Sequence, residues 1–238
     1  HSGAAAPTGP RGAGPVSGLM TSDDHERQQS VIDTAIHAGI NWFDTAAGYG
    51  NGLSERNLGA ALAQLDARDA VHLATKVRLA GDDLLDVERA IRVSLAASCE
   101  RLGASRVTLL QLHNALTPRR DDEPASLSPD DVLGPCGVLA AFQRLRDEGR
   151  IDWFGLTGTG HSEALRAVVA SGGFHTVQTP YNLVNPSAGQ PMDTSFSESN
   201  YGNLFAECQR HEMGVFAIRV FAGGALAGQP PSGHTFQT

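Results

Sequence analysis

Three successive apolar stretches of the 238-residue chain end on side chains able to move a proton. Ile40-Asn41-Trp42-Phe43 runs into Asp44, the stretch 71–77 carries Lys76 near its end, and 107–112 runs into His113. Each has an ordinary reading alone: Asp44 as a cap for the next segment, Lys76 as a surface side chain, His113 as a satisfied core histidine. Together, at one relative depth, they fit those readings less well, because a charge there costs free energy unless paired or solvated. Asp44 and Lys76, at the ends of neighbouring strands, are placed to pair. Tyr49 follows in the loop Thr45-Ala46-Ala47-Gly48-Tyr49-Gly50, which can fold back and bring a phenol beside the ammonium. An ammonium beside a phenol favours the phenolate, against an ordinary pKa of about 10, and makes the phenol a better general acid near neutral pH. A histidine facing the same point would polarise a carbonyl oxygen. The constellation adds or removes a proton at a carbonyl or alcohol oxygen. None of these side chains carries a hydride, so redox chemistry would need a cofactor.

These groups meet only if the elements between them put the strand ends on one face. Ser22 or Asp23 is expected to cap a helix over 24–38, with Val31, Ile32, Ala35 and Ile36 near helical spacing and Gly39 as its stop. Ser54 opens a second helix, with Leu58, Ala61, Leu62 and Leu65 on one face. Helices at 85–102, 137–149, 161–171 and 200–212 then alternate with strands at 71–77, 107–113, 152–157, 176–180 and 215–220. The connection 114–134 is longer than most βα loops and holds three prolines. Strict alternation predicts a parallel sheet with helices outside. The G-x-G-x-x-G fingerprint of a doubly wound dinucleotide fold is absent after the first strand, and Gly155-Leu156-Thr157-Gly158-Thr159-Gly160 has the wrong place and spacing. Polar residues recur instead at the strand ends Asp44, Lys76, His113, Thr157, Gln178 and Arg219, which a barrel gathers on one face. The expected fold is α/β, a (β/α)8 TIM-type barrel over 23–238 behind a flexible Gly/Ala/Pro-rich segment at 1–22. About six strands are counted where eight are needed, so the first and last strand regions are expected to be missing from the chain.

Composition narrows the partners. Eighteen basic residues against 26 acidic ones give a net charge of −8, which disfavours nucleic acid. No apolar run reaches the length of a membrane span, and no Lys/Arg-led signal peptide stands at the start. Cys99, Cys136 and Cys208 are odd in number and widely spaced, so neither a disulfide framework nor a metal site is expected, and a cytoplasmic location is the default. Cys136 has no base beside it in sequence, which argues against a nucleophile. Oligomeric state is not encoded in anything legible here.

The stretch from Gly39 to Gly50, continuing to Ser54-Glu55 and Leu58-Gly59, resembles the opening signature of the aldo-keto reductases. Ala74-Thr75-Lys76-Val77 resembles that family's lysine strand, and Leu109-Leu110-Gln111-Leu112-His113 its histidine strand. The likeness runs from about residue 25 to residue 228. It implies that Tyr49 is general acid in reduction and general base in oxidation, that Lys76 held by Asp44 tunes it, and that His113 orients the substrate oxygen. It implies a nicotinamide cofactor across the barrel mouth, NADP in most members, with NAD left open. Gln178 matches the glutamine that bonds the carboxamide, and Thr157 keeps the hydroxyl beside it. The segment Arg219–Leu226, with Phe221, Gly223, Gly224 and Leu226, matches the pyrophosphate segment, where backbone N–H groups and an arginine suit phosphate.

Two departures fall at the nicotinamide end. Thr157-Gly158 stands where the family has Ser-Asn, and Ile218 where an aromatic ring stacks. The resemblance also places a substrate-shaping loop at 114–134, with Leu116, Pro118, Arg119 and Arg120 as lining and Tyr181 or Asn182 at the rim; Trp42, Trp153 and Phe154 read as core. The expected function is an NAD(P)H-dependent oxidoreductase that transfers hydride reversibly to an aldehyde or ketone, or from a sugar or alcohol hydroxyl. The alternatives are a cofactor-binding regulatory or interaction subunit with weak or no turnover, and non-redox proton chemistry of a lyase or epimerase.

Overall fold

In the computed structural model, which describes Ser22 and residues 24–228, helices and strands alternate from α1 (His25–His37) to β6 (Gly214–Ile218). Between them lie β1 (Trp42–Asp44), α2 (Leu53–Gln64), β2 (His72–Val77), α3 (Val87–Leu102), β3 (Val107–Leu112), α4 (Pro129–Leu133), α5 (Val138–Asp147), β4 (Ile151–Thr157), α6 (Ser162–Val169), β5 (Thr176–Pro180) and α7 (Leu204–Arg210). The segment expected to be flexible at 1–22 lies, apart from Ser22, outside the described residues.

All five strand pairings are parallel, and the strands follow one another across the sheet in chain order. A doubly wound sheet must reverse that order at a switch point; this one never does. A flat sheet of six strands would hold its two edges about 24 Å apart at the usual spacing. Here Trp42 on β1 and Phe216 on β6 stack, with ring centroids 5.2 Å apart and planes at 27°. The sheet is therefore curled into the arc of a barrel, with β1 and β6 as its edges. It supplies six of the eight strands of a (β/α)8 barrel. Among the described residues no helix is long and apolar enough to cross a membrane.

The main core lies between the outer face of the arc and its helices. Val77, Leu110, Leu112, Phe154, Leu156 and Val177 pack from the strands against Leu62, Ile91, Leu95, Phe142, Leu145 and Leu165 from the helices. Gly59 lets α2 approach α3 closely, because a Cβ there would sit 2.6 Å from the Leu102 carbonyl oxygen.

Several local expectations change. Asp24, not Ser22 or Asp23, caps α1, its carboxylate accepting from the Arg27 N–H. Ser54 does not cap α2: Leu53 begins that helix after Gly52 in the left-handed region, and the Ser54 hydroxyl bonds Thr45 instead. Strand β6 ends at Ile218, leaving Arg219 outside it at φ 55°. Trp153 is 47% exposed, on the inner side of the open arc, with Arg146 5.4 Å over its ring. The loop 114–134 holds α4 and is tied down by bridges from Leu116 to Leu127 and Gly160.

Candidate active site

Lys76, the penultimate residue of β2, lies on the inner face of the arc, where it is 1% exposed. It is the one lysine of the sequence, against seventeen arginines, and its three N–H donors all have partners. Its ammonium donates to Asp44 Oδ2 at 2.5 Å, to the Thr45 carbonyl at 2.9 Å and to the Tyr49 hydroxyl at 3.4 Å. An arginine fork could not make the same three contacts from that depth, since it is planar and larger. Strand pairing sets the geometry: Asp44 is in register with Ala74, two residues before Lys76 on the same face.

Tyr49 reaches the ammonium because the chain after β1 doubles back. Gly50, Asn51 and Gly52 take positive φ angles of 58°, 52° and 82°, conformations cheap for glycine and tolerated by asparagine. The loop is pinned by Tyr49 N–H to the Ala46 carbonyl and Ser54 N–H to the Tyr49 carbonyl. Beneath it, the fully buried Glu55 carboxylate accepts from Arg101 Nε at 2.6 Å and Thr75 Oγ1 at 2.5 Å.

His113 follows β3, its N–H donating to the Val77 carbonyl at 2.7 Å. Its ring meets Tyr49 edge to face, with centroids 5.6 Å apart. The imidazole nitrogens bond no described residue, so they are available to a ligand oxygen. Burial first, then the charges of Lys76 and Arg78, lower its pKa from 6.5 to about 4. The ring is therefore neutral at physiological pH and can donate one N–H to an uncharged oxygen.

That shift carries a stability consequence. Between pH 6.5 and 4 the unfolded chain protonates this histidine and the folded chain does not. Its contribution is thus intact above that window and lost as pH falls through it, by about 3 kcal/mol at the limit. His113→Asn is expected to remove this part of the acid sensitivity, read as a smaller drop in urea midpoint between pH 7 and 4.5 than in wild type.

Asp44, Tyr49, Lys76 and His113 thus converge as expected. The residues expected at the cofactor lie at the C-terminal ends of β4 and β5 and after β6, the same end of the arc. Gln178 is 8% exposed and its amide bonds no described residue. Thr157 directs its hydroxyl to the Leu112 carbonyl at 3.1 Å. Gly158 is fixed by packing: a Cβ there would lie 2.9 Å from Thr179 Cβ and 3.0 Å from Val177 Cγ2. Any longer side chain at 158 would require β5 to move. After β6, Arg219, Ala222, Gly223 and Gly224 all take positive φ. The turn is closed on itself by Ala222 N–H to the Arg219 carbonyl at 2.8 Å and Gly224 N–H to the Phe221 carbonyl at 2.9 Å. Phe221 and Leu226 are exposed there.

Other expected contacts are redirected. Leu116 is fully buried under its loop, and Arg119 and Arg120 turn to Asp122 and Asp131. Asn182 bonds the Arg219 carbonyl at 3.1 Å, and Tyr181 packs on Phe205. Two buried amides went unassigned in the sequence. Asn114, next to His113, joins three loop segments by accepting from Leu79 N–H and donating to the Leu79 and Ala125 carbonyls. Gln111 donates from Nε2 to Asp44 Oδ1 at 3.1 Å. The signal for Gln111 was an amide within the otherwise apolar second half of β3.

Residues 12–237 match the sequence model of the aldo/keto reductase family. The chain belongs to that family. It is 30% identical to the D-threo-aldose 1-dehydrogenase of a Pseudomonas species, over 92% of this chain and 67% of that protein. It is 31% identical to the L-galactose dehydrogenase of Arabidopsis thaliana, over 62% and 43%. Among solved structures, the holo form of aldo-keto reductase AKR11C1 from Bacillus halodurans aligns with a TM-score of 0.67 at 21% identity, covering 90% of this chain and 64% of that one. A Klebsiella pneumoniae aldo-keto reductase in complex with NADPH aligns with a TM-score of 0.63 at 21% identity, covering 86% and 62%. These aldo-keto reductases share the barrel, and this chain spans about two thirds or less of their lengths.

Proposed function

We propose that the chain belongs to an NAD(P)H-dependent oxidoreductase that interconverts an aldehyde or ketone with the corresponding alcohol, sugars included. The observation that carries this reading is the Lys76 ammonium, held by Asp44 and reaching the Tyr49 hydroxyl beside a neutral His113. The 30% identity to a D-threo-aldose dehydrogenase supports the sugar side of the substrate range.

The residues present fit a dinucleotide. Gln178 offers a nearly buried amide that bonds no described residue, the complement of a carboxamide, and the left-handed run after β6 leaves the Gly223 N–H for phosphate, the Ala222 and Gly224 N–H groups already donating to the Arg219 and Phe221 carbonyls. Thr157, Gln178, Arg219, Phe221, Gly223, Gly224 and Leu226 would hold it, as NADP or NAD. When bound it supplies or accepts the hydride, the one thing these side chains cannot do. His113 donates to the substrate carbonyl oxygen and fixes its orientation. Tyr49 delivers its hydroxyl proton to that oxygen as the carbon gains hydride, and takes it back in oxidation. Lys76 stabilises the phenolate left behind, and Asp44 holds Lys76 in place.

The test is to mix the protein with NADPH and NADH, follow cofactor fluorescence, then add a panel of small aldehydes, ketones and aldoses. Cofactor consumption with at least one member is expected. Binding without consumption across the panel would favour the second reading, a regulatory subunit, to which Gly158 and Ile218 lend support at the nicotinamide end. Binding of neither cofactor would remove both.

A further inference from the structure

We propose that Gln111 is a positioning residue for the proton-transfer group: its amide fixes the Asp44 carboxylate, and through it Lys76 and the Tyr49 hydroxyl. This rests on the function proposed above and extends it one layer below the four side chains already named.

Gln111 lies inside β3 in register with Lys76 on β2 and Gly155 on β4, so its side chain shares the inner face with the lysine. It is fully buried. Nε2 donates to Asp44 Oδ1 at 3.1 Å, while Lys76 takes Oδ2. The carboxylate is therefore gripped at both oxygens, one by a charge and one by a neutral amide. A carboxylate held at one oxygen alone can rotate about its terminal torsion, which is broad; held at both, it presents one lone pair to the ammonium.

The other end of the amide argues that this grip is the reason for the glutamine. Gln111 Oε1 is buried and bonds no described residue. Leucine would fill the same strand position, as it does at Leu109, Leu110 and Leu112, so apolar packing alone does not call for an amide here. The reversed amide is excluded by its neighbour, because it would press oxygen against the Asp44 carboxylate. Thr176 Oγ1, the other buried side-chain atom without a partner among the described residues, stands on the same register row. Only Gly155 separates the two on that row. Among the described residues, the Asp44 carboxylate is thus the partner this amide serves.

The experiment exploits the single lysine. Reductive methylation with formaldehyde and borohydride, followed by peptide mass spectrometry, reads Lys76 alone among ε-amines and needs no turnover. In Gln111→Leu, Lys76 should label several-fold faster than in wild type under native conditions. With a substrate found in the panel above, kcat should fall by about tenfold, the value of one hydrogen bond to a charged group, with KM changed less than about twofold. In Gln111→Glu the carboxyl faces Asp44 from β1 and Lys76 from β2, with His113 two residues further along the chain. Protonated, it donates to Asp44 as glutamine does; ionised, it repels it. Its kcat relative to wild type should therefore recover as pH is lowered toward the carboxyl range, a dependence that a packing role would not produce. An unchanged labelling rate in Gln111→Leu overturns the proposal, whether or not the protein turns over. Faster labelling with unchanged kcat, or a flat ratio for Gln111→Glu, overturns it as well. A wild-type protein that never consumes cofactor sinks the proposed function instead, and labelling alone then decides whether Gln111 holds the ion pair.

Discussion

Tyr49→Phe is expected to lower turnover by about a thousandfold while cofactor affinity stays within about twofold of wild type. The substitution removes one oxygen and leaves the ring, so the edge contact with His113 and the loop fold should persist. The ammonium keeps Asp44 and the Thr45 carbonyl at 2.5 and 2.9 Å, which spares the lysine an unpaired burial. What disappears is the hydroxyl that, among the described residues, bonds Lys76. Steady-state rates with the best panel substrate, alongside fluorescence titration of the cofactor, check both halves. Turnover retained within tenfold would take Tyr49 out of the chemistry and shift the proton to His113 or water.

Arg101→Met should be the most damaging change to stability. Glu55 is 0% exposed, and its carboxylate is neutralised by Arg101 from α3 and bonded by Thr75 from β2. Removing one member of a buried pair leaves an uncompensated charge and costs about 3–5 kcal/mol, which for a chain of this size lowers Tm by roughly 10 °C. The guanidinium also packs under Gly52, where a Cβ would meet Arg101 Cδ at 2.6 Å. It therefore supports the turn that brings Tyr49 back over β1, and activity should fall with stability. The double variant Glu55→Gln/Arg101→Met should regain more than half of the lost Tm in a thermal melt, because it removes the stranded charge. Equal melting of the single and double variants would show that packing, not charge, dominates at this site.

The strand ends were legible because short apolar runs closing on Asp44, Lys76 and His113 reflect a local rule: apolar strand, polar tip. The return of Tyr49 was legible from the short loop that carries it; the positive φ angles of Gly50, Asn51 and Gly52 that make the turn were not. Partnerships across the chain were not. Ser54 looks like a cap until Thr45, nine residues earlier, claims its hydroxyl. Trp153 looks like core, but the inner side of the arc at β4 is open near it. Arg119 and Arg120 look like substrate ligands until Asp122 and Asp131 take them. Gln111 and Glu55 depend on partners 67 and 46 residues away, and no short-range pattern encodes such pairs. The Gly158 departure has a steric cause that only the packing of β4 on β5 reveals.

Because each strand lies beside its predecessor, each pairing of the described sheet needs only the next βα unit, not a strand from the far end of the chain. A chain emerging from the ribosome can lay down one βα unit after another, each finished edge templating the next arrival. Such assembly avoids the slow search of interleaved topologies, although every parallel pairing must still close over a helix. It also means that, at every intermediate length, one raw sheet margin faces the crowded cell, so pauses in synthesis are when this protein is most exposed to sticking to its neighbours.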